Sequence, residues 1–323
     1  MSKIRIAIDG SGGDFAPQCV IEALKKISIN DQITYTIFCT PEHAKCYENA
    51  QIEAQICDNP LQTIIQSVKE KAHLACVSAG NTIFYVIEAL RNLDKIDGIK
   101  RPALVTSSPS YPKDKILVDL GANLTCSDQD LAIFAIMGSV YAKIIGKIDH
   151  PKVSFLNIGS ESIKGPIYIR QARQLYNQTF RDNADFIESD ELFSKNCDVV
   201  VMDGYSGNIL IKFAAGLSRF FFKSAKEVAH KNLLNKIRGF IAKPLFKQLS
   251  SLKADKHNTA LLMGVKGAVI KAHGNSNASA FAASVMYAVD ICLHQENIER
   301  EVEKKAQLFN TISKDNNTAM NAS

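Results

Sequence analysis

Ile4-Arg-Ile-Ala-Ile-Asp-Gly-Ser-Gly-Gly-Asp-Phe-Ala-Pro17 is the stretch that decides the fold. Its alternating isoleucines predict a strand that ends at Asp9, and three glycines within the next four residues predict a tight turn. Helical apolar spacing follows Pro17. A strand, a glycine turn and a helix in this order present backbone N–H groups to an anion. Taken alone, the stretch also fits an ordinary turn that needs glycine for positive φ.

Composition limits the classes of protein to which this chain can belong. It has 323 residues, of which 46% are hydrophobic and 22% charged, and these values are typical of a globular protein. A net charge of +5 favours an anionic partner but is too small for a nucleic-acid-binding protein. Its eight cysteines form no CxxC pair and lie mostly in apolar runs. They predict buried thiols in a reducing cytoplasm rather than disulfides or a metal site.

Alternating strand and helix patterns organise nearly the whole chain. This alternation predicts an α/β fold, a mostly parallel Rossmann-like sheet with helices on both faces. We expect residues 1–323 to form a single domain. No apolar run reaches the roughly 18 residues of a membrane-spanning helix, so we expect a cytoplasmic protein.

Six of the predicted strands end in a glycine flanked by Asp, Asn, Ser or His. Ligands of open α/β sheets bind beyond the carboxyl ends of the strands, so these turns predict one shared site. Backbone N–H and side-chain amide donors suit phosphate, and no cluster of acids, His or Cys calls for a metal. The predicted phosphate-binding residues are Gly12, Gly13, Gly80, Asn81, Thr82, Asn123, Gly204, Asn208, Gly274 and Asn277.

Eight motifs resemble those of the bacterial phosphate acyltransferases in order and spacing, from about residue 4 to residue 300. They are GGDFAP, SAGNT, RPALVT, DLGAN, FAIMGSVYA, LNIGSESIKG, DVVVMDGYSGN and GVKGAVIKAHGNSNA. The resemblance implies a fold related to isocitrate and isopropylmalate dehydrogenases, in a homodimer. It also implies that phosphate attacks the thioester of a long-chain acyl carrier protein, without metal or cofactor. The acyl phosphate product would then serve phospholipid synthesis through a membrane glycerol-3-phosphate acyltransferase.

Three side chains are candidates for catalysis of that reaction. Lys164 follows a glycine turn and would bind phosphate or the carbonyl oxygen, although it also fits a solvated loop lysine. Asp203 ends an apolar strand and would orient Lys164 or accept a proton, unless it only caps the next helix. His273 also ends an apolar strand and would protonate the leaving thiolate, unless its role is structural.

A basic amphipathic stretch at about residues 229–258 predicts a helical hairpin that docks on a membrane surface. Between Lys231 and Lys253 there are six Lys or Arg residues and no acid, and Pro244 interrupts the helical pattern. A pair of helices in a dimer contact or in the core fits the same pattern. The predicted membrane-facing residues are Leu233, Ile237, Phe240, Ile241 and Leu245.

Two other functions stay open on the sequence. A segment that the family usually carries between Pro60 and Ser78 is missing, which fits a membrane-docking or scaffold homologue with impaired catalysis. The related dehydrogenase fold fits an oxidoreductase, but the nicotinamide-binding fingerprint and its downstream acid are absent.

Overall fold

The computed structural model describes residues 3–27, 31–48, 52–110, 113–230 and 259–321, which form one eleven-stranded sheet with helices on both faces. The strands are β1 (Ile4–Asp9), β2 (Ile33–Cys39), β3 (Glu53–Ile56), β4 (Ala75–Ser78), β5 (Ala103–Ser108), β6 (Lys115–Val118), β7 (Val153–Leu156), β8 (Asp185–Ile187), β9 (Val199–Val201), β10 (Thr259–Met263) and β11 (Ala268–Ala272). The α-helices are α1 (Gln18–Leu24), α2 (Pro60–Lys69), α3 (Thr82–Asn92), α4 (Asp128–Ile144), α5 (Ile167–Phe180), α6 (Gly204–His230) and α7 (Ala278–Asn321). Short 3-10 helices cover Pro41–Tyr47 and Asp190–Phe193.

The strand order is β3-β2-β1-β4-β11-β10-β5-β6-β9-β7-β8. The first five of these strands are parallel. β10 is antiparallel to both of its neighbours, β5 is antiparallel to β6, and the last four strands are again parallel. The last four therefore run opposite to the first five. We call the carboxyl ends of β1, β4 and β11 the upper rim of the sheet, and those of β6, β7 and β9 the lower rim.

Alternate residues of each strand enter two apolar layers, because successive side chains of a strand point to opposite faces. Ile6 and Ile8 pack on the face covered by α1, α4, α5 and α7. Ala7 and Cys76 pack on the other face, with α2 and α3 and with Leu210 of α6. The sheet is thus buried between two helical layers, which leaves its rims for loops.

Helix α4 is the most deeply buried helix segment described. Its side chains from Leu131 to Ala142 are all buried, and a Ser127–Asp130 capping box closes its first turn. Gly138 lets the helix approach β9 closely, since a Cβ there would lie 2.5 Å from Val199 Cγ1. The close contact fixes the helix layer against the second half of the sheet.

The sequence prediction of an α/β fold with helices on both faces is confirmed. Helices α2 and α3 begin directly after the capping residues Asn59 and Asn81, and α4 begins directly after Ser127. Helix α7 extends to Asn321. The predicted hairpin at about residues 229–258 begins within α6. Its part from 231 to 258 lies outside the described residues and includes Leu233, Ile237, Phe240, Ile241 and Leu245. No described helix is both long enough and apolar enough to cross a bilayer.

Candidate active site

Three polar side chains form a row across the upper rim. Lys271 of β11 is paired in register with Ser78 of β4, and Asp9 of β1 lies one residue beyond the pair Ile8–Val77. All three point to the face that α3 and α6 cover. Only 2% of Asp9, 0% of Ser78 and 6% of Lys271 is exposed. The row is therefore a set of buried polar side chains next to the glycine turns.

The carboxylate of Asp9 organises two of these turns. Its Oδ1 accepts hydrogen bonds from the backbone N–H groups of Ser11 at 3.0 Å and Gly12 at 2.9 Å. Its Oδ2 accepts one from Ser78 Oγ at 2.7 Å, and Ser78 Oγ in turn accepts one from Gly80 N at 2.9 Å. One buried carboxylate thus links the turn after β1 with the turn after β4.

Close packing brings the glycines of three turns together. A Cβ on Gly12 would lie 2.9 Å from Gly80 N, and one on Gly13 would lie 3.2 Å from Gly274 O. Gly13 also has a φ of +106°, which disfavours any other residue. Asp14 N donates to Gly274 O at 2.8 Å. We call Gly12, Gly13, Gly80 and Gly274 the glycine cluster.

Two helices begin at this cluster, each with a capped first turn. Asn81 Oδ1 accepts hydrogen bonds from Ile83 N and Phe84 N at the start of α3. Asn277 Oδ1 accepts one from Ala280 N at the start of α7. Thr82 is the first residue of α3. The positive ends of two helix dipoles therefore add to the anion-binding potential of the turns.

Positive side chains surround the same turns. Burial lowers the pKa of Lys271 to about 8, against the opposing effect of Asp9 and Asp14. Desolvation of the ring lowers the pKa of His273, and the charges of Lys271 and Arg219 lower it further. His273 is thus neutral at pH 7. Lys212 and Arg219 of α6 both lie within electrostatic reach of its ring.

A second cluster occupies the lower rim around Asp119, which directly follows β6. This carboxylate is fully buried, and burial raises its pKa while hydrogen bonds lower it. It accepts hydrogen bonds from Asn123 Nδ2 and from the N–H groups of Leu104, Leu120, Gly121, Ala122 and Asn123. Gly204 N donates to Asn123 O at 2.7 Å, and Asn208 lies against Gly121.

Lys164 and Asp203 also lie at the lower rim, with different partners. Lys164 Nζ pairs with Glu161 Oε1 at 2.7 Å, and this hydrogen bond raises the pKa of Lys164. Asp203 accepts hydrogen bonds from Tyr168 Oη at 3.2 Å and from Ser206 N at 2.7 Å. The bond from Ser206 makes Asp203 the cap of α6.

The structure therefore divides the residues predicted from sequence between two rims. The upper rim gathers the glycine cluster with Asn81, Thr82, His273 and Asn277, and the lower rim holds Asn123, Lys164, Asp203, Gly204 and Asn208. Sequence analysis did not identify Ser78, Lys271, Lys212 or Arg219. A lysine within the apolar run of β11 was the available signal for Lys271. Within the described residues, no three His, Cys, Asp or Glu side chains form a metal site.

Sequence comparisons match this chain with one family model and with several curated proteins. A family model described as "Fatty acid synthesis protein" matches residues 49–299. A phosphate acyltransferase from Pseudoalteromonas atlantica is 34% identical, over 94% of this chain and 96% of its own length. A phosphate acyltransferase from Ehrlichia ruminantium is 33% identical, over 92% of this chain and 96% of its own length.

Solved structures share the fold at low sequence identity. A phosphotransacetylase from Streptococcus pyogenes aligns with a TM-score of 0.62 at 14% identity, over 95% of this chain and 94% of that one. A putative 4-hydroxythreonine-4-phosphate dehydrogenase from Salmonella typhimurium aligns with a TM-score of 0.51 at 11% identity, over 90% of this chain and 99% of that one. At these identities the likeness concerns the fold alone.

The two lower-rim aspartates should differ sharply in their effect on stability. We expect Asp119→Ala to lower the free energy of unfolding by about 3–5 kcal/mol, because several buried N–H groups lose their acceptor. Asp203→Ala removes a helix cap and should cost about 1 kcal/mol. Urea denaturation followed by circular dichroism measures both. Equal losses would contradict the role given to Asp119.

Proposed function

This chain belongs to the phosphate acyltransferase family of fatty acid synthesis proteins, and we propose that it transfers a long-chain acyl group from acyl carrier protein to inorganic phosphate. Acyl transfer is the activity common to its curated relatives. We further propose that the acyl donor is acyl carrier protein and that the product is acyl phosphate. This product would serve phospholipid synthesis.

The upper rim is the proposed phosphate site. The observation that carries this assignment is the convergence of glycine turns after β1, β4 and β11 on the N-termini of α3 and α7. Backbone N–H groups and helix N-termini bind phosphate without a metal. The cationic side chains of Lys212, Arg219 and Lys271 favour the same charge.

The reaction balances without a protein nucleophile. An oxygen of hydrogen phosphate attacks the thioester carbonyl, the C–O bond forms, and the C–S bond breaks. The proton of hydrogen phosphate then has to reach the leaving sulfur. His273, which directly precedes Gly274 in the chain, is the proposed carrier of this proton.

The long acyl chain needs an apolar surface beside the phosphate site. Ile83 and Phe84 are the second and third residues of α3, and their side chains are 63% and 65% exposed. Exposed apolar side chains next to an anion site fit a ligand with a charged end and an apolar tail. This juxtaposition supports a fatty acyl group over a short one.

The carrier protein would be attracted by positive charge. Acyl carrier protein is expected to be acidic, and this chain has a net charge of +5. Arg170 and Arg173 lie one turn apart on α5, with the guanidinium of Arg173 4.5 Å from the ring centre of Phe186. The proposed contact with the carrier protein is the segment of α5 that contains Arg170 and Arg173. Helix α5 begins three residues after Lys164.

Lys164 and Asp203 stay in the proposal as candidate catalytic residues. Asn123, Gly204 and Asn208 stay in it as candidate phosphate-binding residues. Their location on the lower rim means that a role in phosphate binding has to be tested separately from that of the glycine cluster. The ion pair of Lys164 with Glu161 would have to open before Lys164 could bind substrate.

A homodimer is the proposed assembly. Tyr205, Ile209, Phe213 and Leu217 follow one another at four-residue spacing along α6, and all are exposed. An apolar stripe of this length on one helix face is typical of a surface that another copy covers.

Peripheral membrane association is proposed from the sequence of residues 229–258. A basic amphipathic segment binds anionic lipid through charge and through a buried apolar face. Binding there would deliver the acyl phosphate to a membrane glycerol-3-phosphate acyltransferase. The expected location is therefore the cytoplasmic side of the membrane.

The activity itself is tested with the purified chain, a long-chain acyl carrier protein and inorganic phosphate. We expect free carrier thiol to appear only when phosphate is present, together with acyl phosphate. No thiol release would favour the scaffold alternative, and phosphate-independent release would indicate hydrolysis. Lys164→Ala tests the site assignment, with Lys100→Ala as the control. If Lys164→Ala depends on phosphate as the parent and the control do, Lys164 is not part of the phosphate site.

The assembly is tested by light scattering. We expect the parent to have twice the mass of one chain and Phe213→Asp to shift towards the monomer, because the charge would be buried in the contact. Leu308→Asp changes an exposed apolar residue of α7 and should leave the mass unchanged. A parent that is monomeric at micromolar concentration would refute the homodimer.

Flotation with anionic phospholipid vesicles tests the membrane proposal. We expect the parent to float and a Phe240→Asp/Leu245→Asp variant to stay in the dense fraction, because charged side chains oppose insertion of the apolar face. Raising the salt concentration should weaken the parent's binding. A double variant that floats as the parent does would show that these residues are not the membrane contact.

A further inference from the structure

Asn157 is a buried polar residue to which the proposed reaction assigns no role. It directly follows β7, and its backbone N–H donates to the carbonyl of Ile187, the last residue of β8, at 2.9 Å. Only 6% of Asn157 is exposed. A buried amide side chain is costly unless it forms hydrogen bonds, so its partners indicate what it does.

The partners of this side chain lie in the loop that leads from β7 to α5. Nδ2 of Asn157 donates hydrogen bonds to the carbonyl oxygens of Gly159 at 3.1 Å and of Lys164 at 3.0 Å. These carbonyls lie near the two ends of residues 158–165, which we call the lysine loop. One amide anchored to the sheet thus closes this loop and holds the backbone of Lys164.

Two glycines of the lysine loop fit the same arrangement. Gly165 has a φ of +81°, and a Cβ there would overlap Asn157 Oδ1. A Cβ on Gly159 would overlap Lys164 Cδ, so the aliphatic part of the lysine lies against this glycine. A larger residue at either position would displace the amide or the lysine.

The ammonium of Lys164 has only a weak hold of its own. It pairs with Glu161 three residues earlier, and the two side chains are 51% and 55% exposed. An exposed ion pair contributes little by itself. The direction of the Lys164 side chain therefore depends on the backbone of the lysine loop, which Asn157 holds.

We propose that Asn157 is a positioning residue, whose amide holds the backbone of Lys164 so that the ammonium keeps a fixed place on the lower rim. The inference deepens the proposed function, because it rests on Lys164 binding phosphate or the thioester carbonyl. Asn157 acts through Lys164, since Nδ2 has two N–H donors and the lysine loop takes both.

Steady-state kinetics of acyl transfer at varied phosphate concentration test this role. We expect Asn157→Ala to lower kcat/KM for phosphate about tenfold, because a small displacement of a reacting group removes much of its effect. The loss should fall on the same parameter, KM or kcat, that Lys164→Ala changes. No loss, or a loss confined to the other parameter, would overturn the proposal.

A double-mutant cycle separates action through Lys164 from a general effect on the protein. Asn157→Ala/Lys164→Ala should have the same kcat/KM as Lys164→Ala, because the amide then has no ammonium to position. Asn177→Ala is the matched control, since Asn177 bonds both the N–H and the carbonyl of Ala184 and so closes another loop. This control should keep the kinetics of the parent. Additive losses in the cycle would refute the proposal.

Chemical labelling follows the lysine itself and needs no acyl donor. Acetic anhydride in limiting amount reacts with uncharged amines, and peptide mass spectrometry gives the rate for each lysine. The hydrogen bond with Glu161 raises the pKa of Lys164 and so slows its reaction. We expect Asn157→Ala to raise the rate of Lys164 about threefold relative to the exposed Lys100, because a loosened loop opens the weak ion pair. An unchanged rate would contradict the role given to Asn157.

Folding of the variants is checked by thermal denaturation followed by circular dichroism. Asn157→Ser keeps a hydroxyl donor and is measured in the same way if Asn157→Ala does not fold. If neither variant folds, Asn157 serves the fold alone and the proposal is refuted. The expected labelling in a chain without acyl transfer would refute the proposed function and leave the hold of Asn157 on Lys164 in place.

Discussion

A carboxylate buried at the end of a strand must find hydrogen-bond donors, and in this protein the donors are the turns that follow the strands. Asp9 and Asp119 meet this requirement in the same way, one on each rim of the sheet. Each collects backbone N–H groups of its own turn and reaches a neighbouring strand, Asp9 through Ser78 and Asp119 through Leu104 N. The position of both sets of turns follows from this single constraint.

Strands, turns and helix starts can be predicted from sequence where their determinants lie within a few residues. The strand and glycine turn after Ile4, the proline at the start of α2 and the capping box at Ser127 are encoded within a few residues. Two short strands, β8 and β10, have little signal in the sequence. β8 has three residues, and β10 follows directly after the basic segment, so neither has enough alternation to stand out.

Strand direction could not be read from the sequence, and the division of the candidate site follows from it. Turns that contain glycine and asparagine follow both β4 and β9, yet these strands run in opposite directions, because the three pairs β11–β10, β10–β5 and β5–β6 that lie between them are antiparallel. The row of Asp9, Ser78 and Lys271 was hidden for the same reason. Its members are separated by up to 262 residues and become neighbours only through the pairing of β1, β4 and β11.

The order of strands also bears on synthesis of the chain at the ribosome. β4 is translated early, but its neighbour β11 comes almost two hundred residues later. Until then the nascent polypeptide has an unpaired strand edge in the middle of its future sheet. The proposed anion site at the upper rim is consequently complete only near the end of translation, when β11 joins the two halves of the sheet through β10.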